Sequence, residues 1–181
     1  MPWRNGGGTT TEIAIAPEGA SVSGERFLYR VSIADVASDG PFSRFEGYDR
    51  HIMLLAGAGM TLDCGTHGRI ELAPFEPRSF SGDWEVTGTL VGGAVRDFNL
   101  MVDRARATST LVSELLDGPR RFACEPSNVC IVHVIEGALA GAGEGDTLVA
   151  DAPFELVPRG TTSHVRVAIA RIAPLLERAA G

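Results

Sequence analysis

The sequence has no lysine: all sixteen of its basic residues are arginine. That excludes Schiff-base chemistry, and it removes the lysine on which a common phosphate-binding loop depends. Cysteine is sparse. Cys64, Cys124 and Cys130 form no Cys-x-x-Cys pair, and three thiols cannot all pair within one chain. A reduced, cytoplasmic setting is therefore expected. No apolar run approaches the ~20 residues of a membrane-spanning helix. The start of the chain has neither the basic patch nor the apolar stretch of a secretory signal. No membrane partner is expected. Positive charge is also in deficit, with 16 basic against 23 acidic residues and a net charge of −7. A general nucleic-acid binder needs a basic footprint to neutralise phosphates, so no nucleic-acid partner is expected either. The Gly-x-Ser-x-Gly elbow of a serine hydrolase is missing.

What the chain does contain is ordinary for a globular protein: 181 residues, 44% of them apolar and 22% charged. This is enough for one generous domain or two small fused ones. Near its start, "RNGGGTTTEI" invites a phosphate-loop reading. It has no lysine and no preceding strand, so it reads better as a turn feeding a strand, with Gly7 giving the close backbone approach. The dominant pattern is period-two alternation. "TEIAIA" sets Ile13 and Ile15 against Glu12, Ala14 and Ala16. "RFLYRVSIADV" sets Phe27, Tyr29, Val31 and Ile33 against Leu28, Arg30, Ser32 and Ala34. "VRDFNLMV" sets Phe98, Leu100 and Val102 against Asp97, Asn99 and Met101. Short runs of this kind, broken by Gly, Pro and Asp, predict an all-β sandwich or barrel. Residues 108–118 fit helix or strand, and the tail from Ala173 suggests a short helix.

An internal repeat organises these strands. "LLAGAGM" at Leu54 and "VIEGALA" at Val134 lie 80 residues apart, and "APFE" at Ala73 and Ala152 lie 79 apart. Two β units follow, residues 1–103 and 104–181. The pattern is similar to a double cupin, a pair of jelly-roll barrels. That resemblance implies a metal-binding glutamate seven residues before the turn glycine, a His-x-His pair, and a later Pro-x-Gly-x-x-His. Here the glutamate positions hold Arg50 and Cys130, His-x-His occurs nowhere, and in "PRGTTSH" His164 falls one residue late. No metal and no cofactor are expected. A scattered His133, His164 and Cys130 set is the one remaining metal candidate.

Arginine at an inward-facing ligand position turns a cation site into a candidate anion site, because guanidinium offers a planar donor fork that matches a carboxylate. Arg30 and Ser32 share one strand face, as do Asp97 and Asn99. A barrel interior with such fixed donors and acceptors suits a small polar ligand. The competing reading makes Glu12, Arg30, Arg50 and Asp97 surface charges or a structural ion-pair network. Trp3 and Phe42 read as core or lid residues. Glu12 and Asp97 could serve as an acid–base pair, but nothing in the sequence fixes their separation.

Four strings carry a family resemblance: "PWRNGGGTTTEI", "YRVSIADVASDGPFSRFEGYDR", "LLAGAGM" and "RDFNLM". They resemble the HutD/Ves family of bacterial proteins, from Pro2 to about Met101 and more loosely to Ile172. The resemblance implies a double-cupin fold and no established enzymatic activity. It also implies a link to histidine degradation through binding of a pathway intermediate. The chain departs from the family in having Tyr29 where tryptophan is common and only Met1 and Pro2 before Trp3. The short start is expected to leave a strand edge open. The expectation is a non-catalytic regulatory protein that binds a small anionic metabolite through Asn5, Glu12, Arg30, Ser32, Arg50, Asp97 and Asn99. The candidate ligands are urocanate, N-formylglutamate and formiminoglutamate. A cupin enzyme acting on a similar acid is the alternative. A homodimer through a sheet face or edge is compatible with either.

Overall fold

The computed structural model describes residues 1–3, 6–21, 26–159 and 164–175. Contacts between backbone positions divide the chain into two units, Met1–Arg104 and Ala105–Gly181. The first unit holds β1 (Gly8–Ala16), β2 (Tyr29–Val36), β3 (Gly40–Pro41), β4 (Tyr48–Ala56), β5 (Met60–Asp63), β6 (Arg69–Leu72), β7 (Arg78–Ser81), β8 (Thr87–Leu90) and β9 (Val95–Asp103). A 3-10 turn at Gly65–His67 links β5 to β6. One antiparallel sheet runs β1-β2-β9-β4-β7 and another β3-β8-β5-β6. The alternation seen in the sequence does not separate a wet face from a dry one. Of the nine residues of β9 only Arg96 is exposed, so the polar residues of this strand lie inside the unit.

The second unit holds β10 (Ala107–Leu116), β11 (Arg120–Phe122), β12 (Val129–Glu136), β13 (Ala138–Leu139), β14 (Thr147–Ala150), β15 (Phe154–Leu156), β16 (Pro158–Arg159) and β17 (Val165–Pro174). Its main sheet runs β10-β17-β12-β14, with β11-β15 and β13-β16 as two-stranded pieces. The ambiguous segment after Arg106 is strand, paired with β17 along its whole length. The expected tail helix does not begin at Ala173: Ala173 and Pro174 extend β17, Leu175 follows with its amide donating to the Arg106 carbonyl, and residues 176–181 lie outside the described residues. Leu116, Val132, Val134, Val165, Val167 and Ile169 form the core of this unit.

The repeat is physical at its first match. The strand orders β2-β9-β4-β7 and β10-β17-β12-β14 correspond one to one. β4 and β12 each end in a bulge, between Leu54 and Ala56 and between Val134 and Glu136. Each bulge leads into a glycine of positive φ, +104° at Gly57 and +84° at Gly137. A Cβ at Gly57 would lie 2.7 Å from Val95, and one at Gly137 would lie 3.2 Å from Val165, the first residues of β9 and β17. Only glycine combines that φ with that approach. The Ala-Pro-Phe-Glu match marks no such equivalence. Its first copy precedes β7, whereas its second follows β14 and enters β15.

The N-terminal residues differ from the open edge expected. Met1–Trp3 fold back over β1: the Thr10 amide donates to the Met1 carbonyl at 2.8 Å and the Trp3 amide to the Gly8 carbonyl at 2.9 Å. Indole Nε1 of Trp3 donates to Thr10 Oγ1 at 2.7 Å. The tight approach falls at Gly8, where a Cβ would sit 2.4 Å from the Asp35 carbonyl oxygen and 3.2 Å from the Trp3 ring. Gly8→Ala is expected to destabilise the protein by about 1–3 kcal/mol, the range for overpacked sites. Gly118→Ala, where nothing lies within 4 Å, should stay within about 0.5 kcal/mol of the parent. Urea unfolding of the two variants checks the contrast, and equal midpoints would contradict the clamped geometry.

Candidate ligand-binding site

Strand register assembles the site. β9 lies between β2 and β4, and paired positions align Arg30, Met101, Arg50 and Phe80 in one row across four strands. The next row holds Glu12, Ser32, Asn99 and Ile52, and the next Thr10, Ala34, Asp97 and Leu54. Side chains two apart on a strand share a face, so the three rows bring the polar groups of β2, β4 and β9 to one inner wall. Glu12 joins the second row just before a bulge, between Glu12 and Ala14, that resets the register of β1. Arg50 stands seven residues before the turn glycine, on the inward face, as the cupin-like spacing predicted.

This wall bounds a cavity of about 740 Å³. Arg30, Ser32, Arg50, Asp97 and Asn99 line it, and on other sides so do Trp3, Phe42, Phe45, Met60 and Gly88. All five polar residues are buried, Asp97 at 1% exposure and both arginines at 6%. The surface-charge reading therefore fails for Arg30, Arg50 and Asp97. Glu12 is not part of the cavity lining; its side chain is 37% exposed and reaches the site by pairing with Arg30 Nε at 2.8 Å. Asn5 lies outside the described residues.

The two arginines are held differently. Arg30 donates from Nε to Glu12 and from Nη1 to Ser32 Oγ at 3.3 Å. Its Nη2 makes no hydrogen bond to a described residue. Arg50 donates from Nη1 to the Ser43 carbonyl at 3.1 Å and from Nη2 to Asn99 Oδ1 at 2.9 Å. Three rings surround its guanidinium, with centroids at 4.8 Å for Phe80, 5.4 Å for Phe42 and 5.6 Å for Phe45. Each such contact contributes about 0.5–2 kcal/mol, which offsets part of the desolvation of a buried cation. Burial still pulls Arg50 down to about 10, against the attraction of Asp97 and with the repulsion of Arg30. It remains a cation at neutral pH. The Phe42–Ser43–Arg44–Phe45 segment supplies two rings and a carbonyl, a cage that the alternation pattern did not reveal. Gly88 leaves room for it: a Cβ there would lie 2.7 Å from the Phe42 ring.

Asn99 connects Arg50 to Asp97. Its Nδ2 donates to Asp97 Oδ1 at 2.6 Å while its Oδ1 accepts from Arg50. Asp97 Oδ2 and Arg50 Nε are buried with no hydrogen-bond partner among the described residues. Burial pushes the Asp97 carboxyl up to about 7, and Asp35 adds to the rise; the Asn99 hydrogen bond and the Arg50 charge only partly oppose it.

The second unit repeats the frame but not the chemistry. Cys130, at the position of Arg50, pairs in register with Arg171 on β17. Burial drives its thiol up to about 11, the neighbouring Cys124 adds to that, and Arg171 opposes it. All three cysteines are free. His133 bonds Thr147 Oγ1 through Nδ1 at 2.9 Å. Among the described residues no three His, Cys, Asp or Glu side chains gather closely enough to hold a metal ion, so His133, His164 and Cys130 are not brought together. No described helix is long and apolar enough to cross a membrane.

Residues 1–168 match the HutD family model. The chain belongs to the HutD family. Over 144 residues it is 40% identical to an uncharacterised 21.2 kDa protein in the hutC 3′ region of Pseudomonas putida, a match covering 78% of this chain and 73% of that protein. It is 33% identical to HutD from Pseudomonas fluorescens SBW25, solved in a formate condition, with a TM-score of 0.74 and coverage of 97% and 93%. A cupin 2 conserved barrel domain protein from Leptotrichia buccalis matches at a TM-score of 0.52 and 12% identity, covering 93% and 89%. This member of the HutD family has the all-β double-cupin fold expected from the repeat.

Because Asp97 takes up its proton more readily in the folded than in the unfolded chain, whose carboxyls titrate near ~3.9, the folded state binds the extra proton between about pH 4 and 7. Stability from this group is full below that window and is lost as pH rises through it. Asp97→Asn, which keeps the shape of the neutral acid, should flatten the fall in urea midpoint between pH 5 and pH 8. An unchanged pH profile would show that Asp97 titrates normally.

Proposed function

We propose that this HutD-family member is a non-catalytic, cytoplasmic binding protein of bacterial histidine utilisation that takes up a small carboxylate intermediate in its first unit. The observation that carries the reading is the pair of buried arginines on one cavity wall, Arg30 with an Nη2 that makes no hydrogen bond to a described residue and Arg50 caged by three rings. A guanidinium removed from bulk water binds carboxylate more strongly than one at the surface, since solvent screens it less. The cavity is of the size that encloses a metabolite. Urocanate, N-formylglutamate and formiminoglutamate are the candidate ligands, and the hutC neighbourhood of the Pseudomonas putida relative supports the pathway. Arg30 and Arg50 grip the carboxylate, Ser32 and Asn99 orient it, and Glu12 and Asp97 hold the arginines.

A cupin enzyme acting on a similar acid is the second reading. It is favoured by Asp97, whose carboxyl near 7 could exchange a proton with a bound acid. Chromatography of each acid after prolonged incubation with the protein distinguishes the two, since turnover makes a product and binding does not.

Thermal unfolding in the presence of histidine, urocanate, formiminoglutamate, N-formylglutamate, glutamate and formate, with metals chelated, tests the binding reading. One acid at a hundred times its Kd should stabilise the native state by about 2.7 kcal/mol, a rise of roughly 5–10 °C in Tm for a chain of this size. The rise should vanish in Arg30→Ala, the cleaner variant because Glu12 is then released to water, and in Arg50→Ala. No shift with any acid would overturn the proposal.

A further inference from the structure

We propose that anion binding in the first unit draws a proton onto Asp97, so that the site releases its ligand as pH rises through neutrality. This deepens the binding reading and rests on it. The argument is one of charge and room. Each arginine of the wall already has a carboxylate: Glu12 touches Arg30 directly, and Asp97 reaches Arg50 through the Asn99 amide. An incoming carboxylate brings a third negative charge to a wall that carries two guanidinium groups. Glu12 can give way, because its side chain is half in water and can swing out. Asp97 cannot. It sits at 1% exposure on the middle strand of its sheet, and its Oδ2 has no partner among the described residues. The only way for this group to surrender its charge is to take up a proton, and a buried carboxylate facing a second anion does so readily. Protonated, it still accepts the Asn99 hydrogen bond at Oδ1. Asn99 therefore keeps the amide orientation that presents its carbonyl to Arg50, and the Arg50 charge is left for the ligand.

Among the described residues, few charged groups surround Asp97. β2 contributes Arg30 and Asp35, β4 contributes Arg50, and β1 contributes Glu12, which is engaged with Arg30. The amino terminus at Met1 also borders the cavity and donates to the Thr10 carbonyl. Among the described residues no histidine lines it. In the ligand-free protein the carboxyl already lies near 7, so proton uptake falls within the range a cell experiences.

The experiment uses the full chain and N-formylglutamate, whose carboxylates stay ionised from pH 6 to 8.5; formate serves as a second probe with the same property. Titration calorimetry at one pH in buffers of different ionisation enthalpy counts the protons bound. Uptake approaching one per ligand at pH 7.5 to 8 is expected, together with a Kd that weakens about 30-fold between pH 6 and 8.5. Asp97→Asn should bind with a Kd constant within about twofold over that range and with no proton uptake. A pH dependence that survives in Asp97→Asn would assign the effect to another group and overturn the inference. Wild-type binding with no proton uptake would overturn it without any variant, and would leave the binding reading intact. Absence of binding at pH 6 by both probes and by every other acid of the thermal-unfolding panel would overturn the inference together with its premise.

Discussion

The hydrogen-bond chain from Arg50 through Asn99 to Asp97 constrains the rest of the first unit. A buried guanidinium and a buried carboxyl are each costly to desolvate, and they become tolerable only when held in a fixed relation. Here a single amide supplies that relation, donating at one end and accepting at the other. Its orientation is set by its neighbours, since only a carboxyl oxygen accepts from Nδ2 and only an arginine donates to Oδ1. The three residues come from β4 and β9, adjacent strands in mid-sheet, so the register of that pair is chemically as well as sterically defined. A one-residue slip would turn Asp97 and Asn99 away from the cavity.

The apolar surroundings serve this chain. Ile52, Leu54, Met60, Leu62 and Phe80 pack into one cluster with Phe42 against it, while Tyr48, Phe27 and Met101 form another with Phe45 alongside. Arg50 lies where rings from the two clusters meet, which explains how a cation can stand among side chains that otherwise exclude water. In the second unit the same strand order surrounds Cys130, a small, uncharged thiol at neutral pH. The duplicated architecture thus supports a charged interior in one unit, and in the other an interior whose position equivalent to Arg50 carries no charge.

Much of this was legible from residues alone. Period-two alternation put Arg30 with Ser32 and Asp97 with Asn99 on shared faces, and the spacing to Gly57 turned Arg50 inward. These are local properties of a strand, and a strand's faces can be read along it. What joins the faces cannot: nothing in the sequence states that β9 inserts between β2 and β4, sixty residues from one and forty from the other. The ring cage is hidden for the same reason, because Phe80 arrives from β7 and Phe42 and Phe45 from a loop. The bulge that sets the register of Glu12 was also invisible, as one extra residue leaves the pattern of apolar positions nearly intact. The second repeat string misled because four matching letters carry no topology.

Gly88 gives this arrangement a further property. It belongs to β8, in the other sheet from Arg50, and its missing side chain is the space in which the Phe42 ring lies. Any larger residue would push that ring, and the ring is one of three against the guanidinium. The volume open to a ligand and the polarisability around the cation are therefore tied to a single backbone position. A change at this point that widens or narrows the chamber would alter the electrostatic environment of the buried guanidinium in the same step.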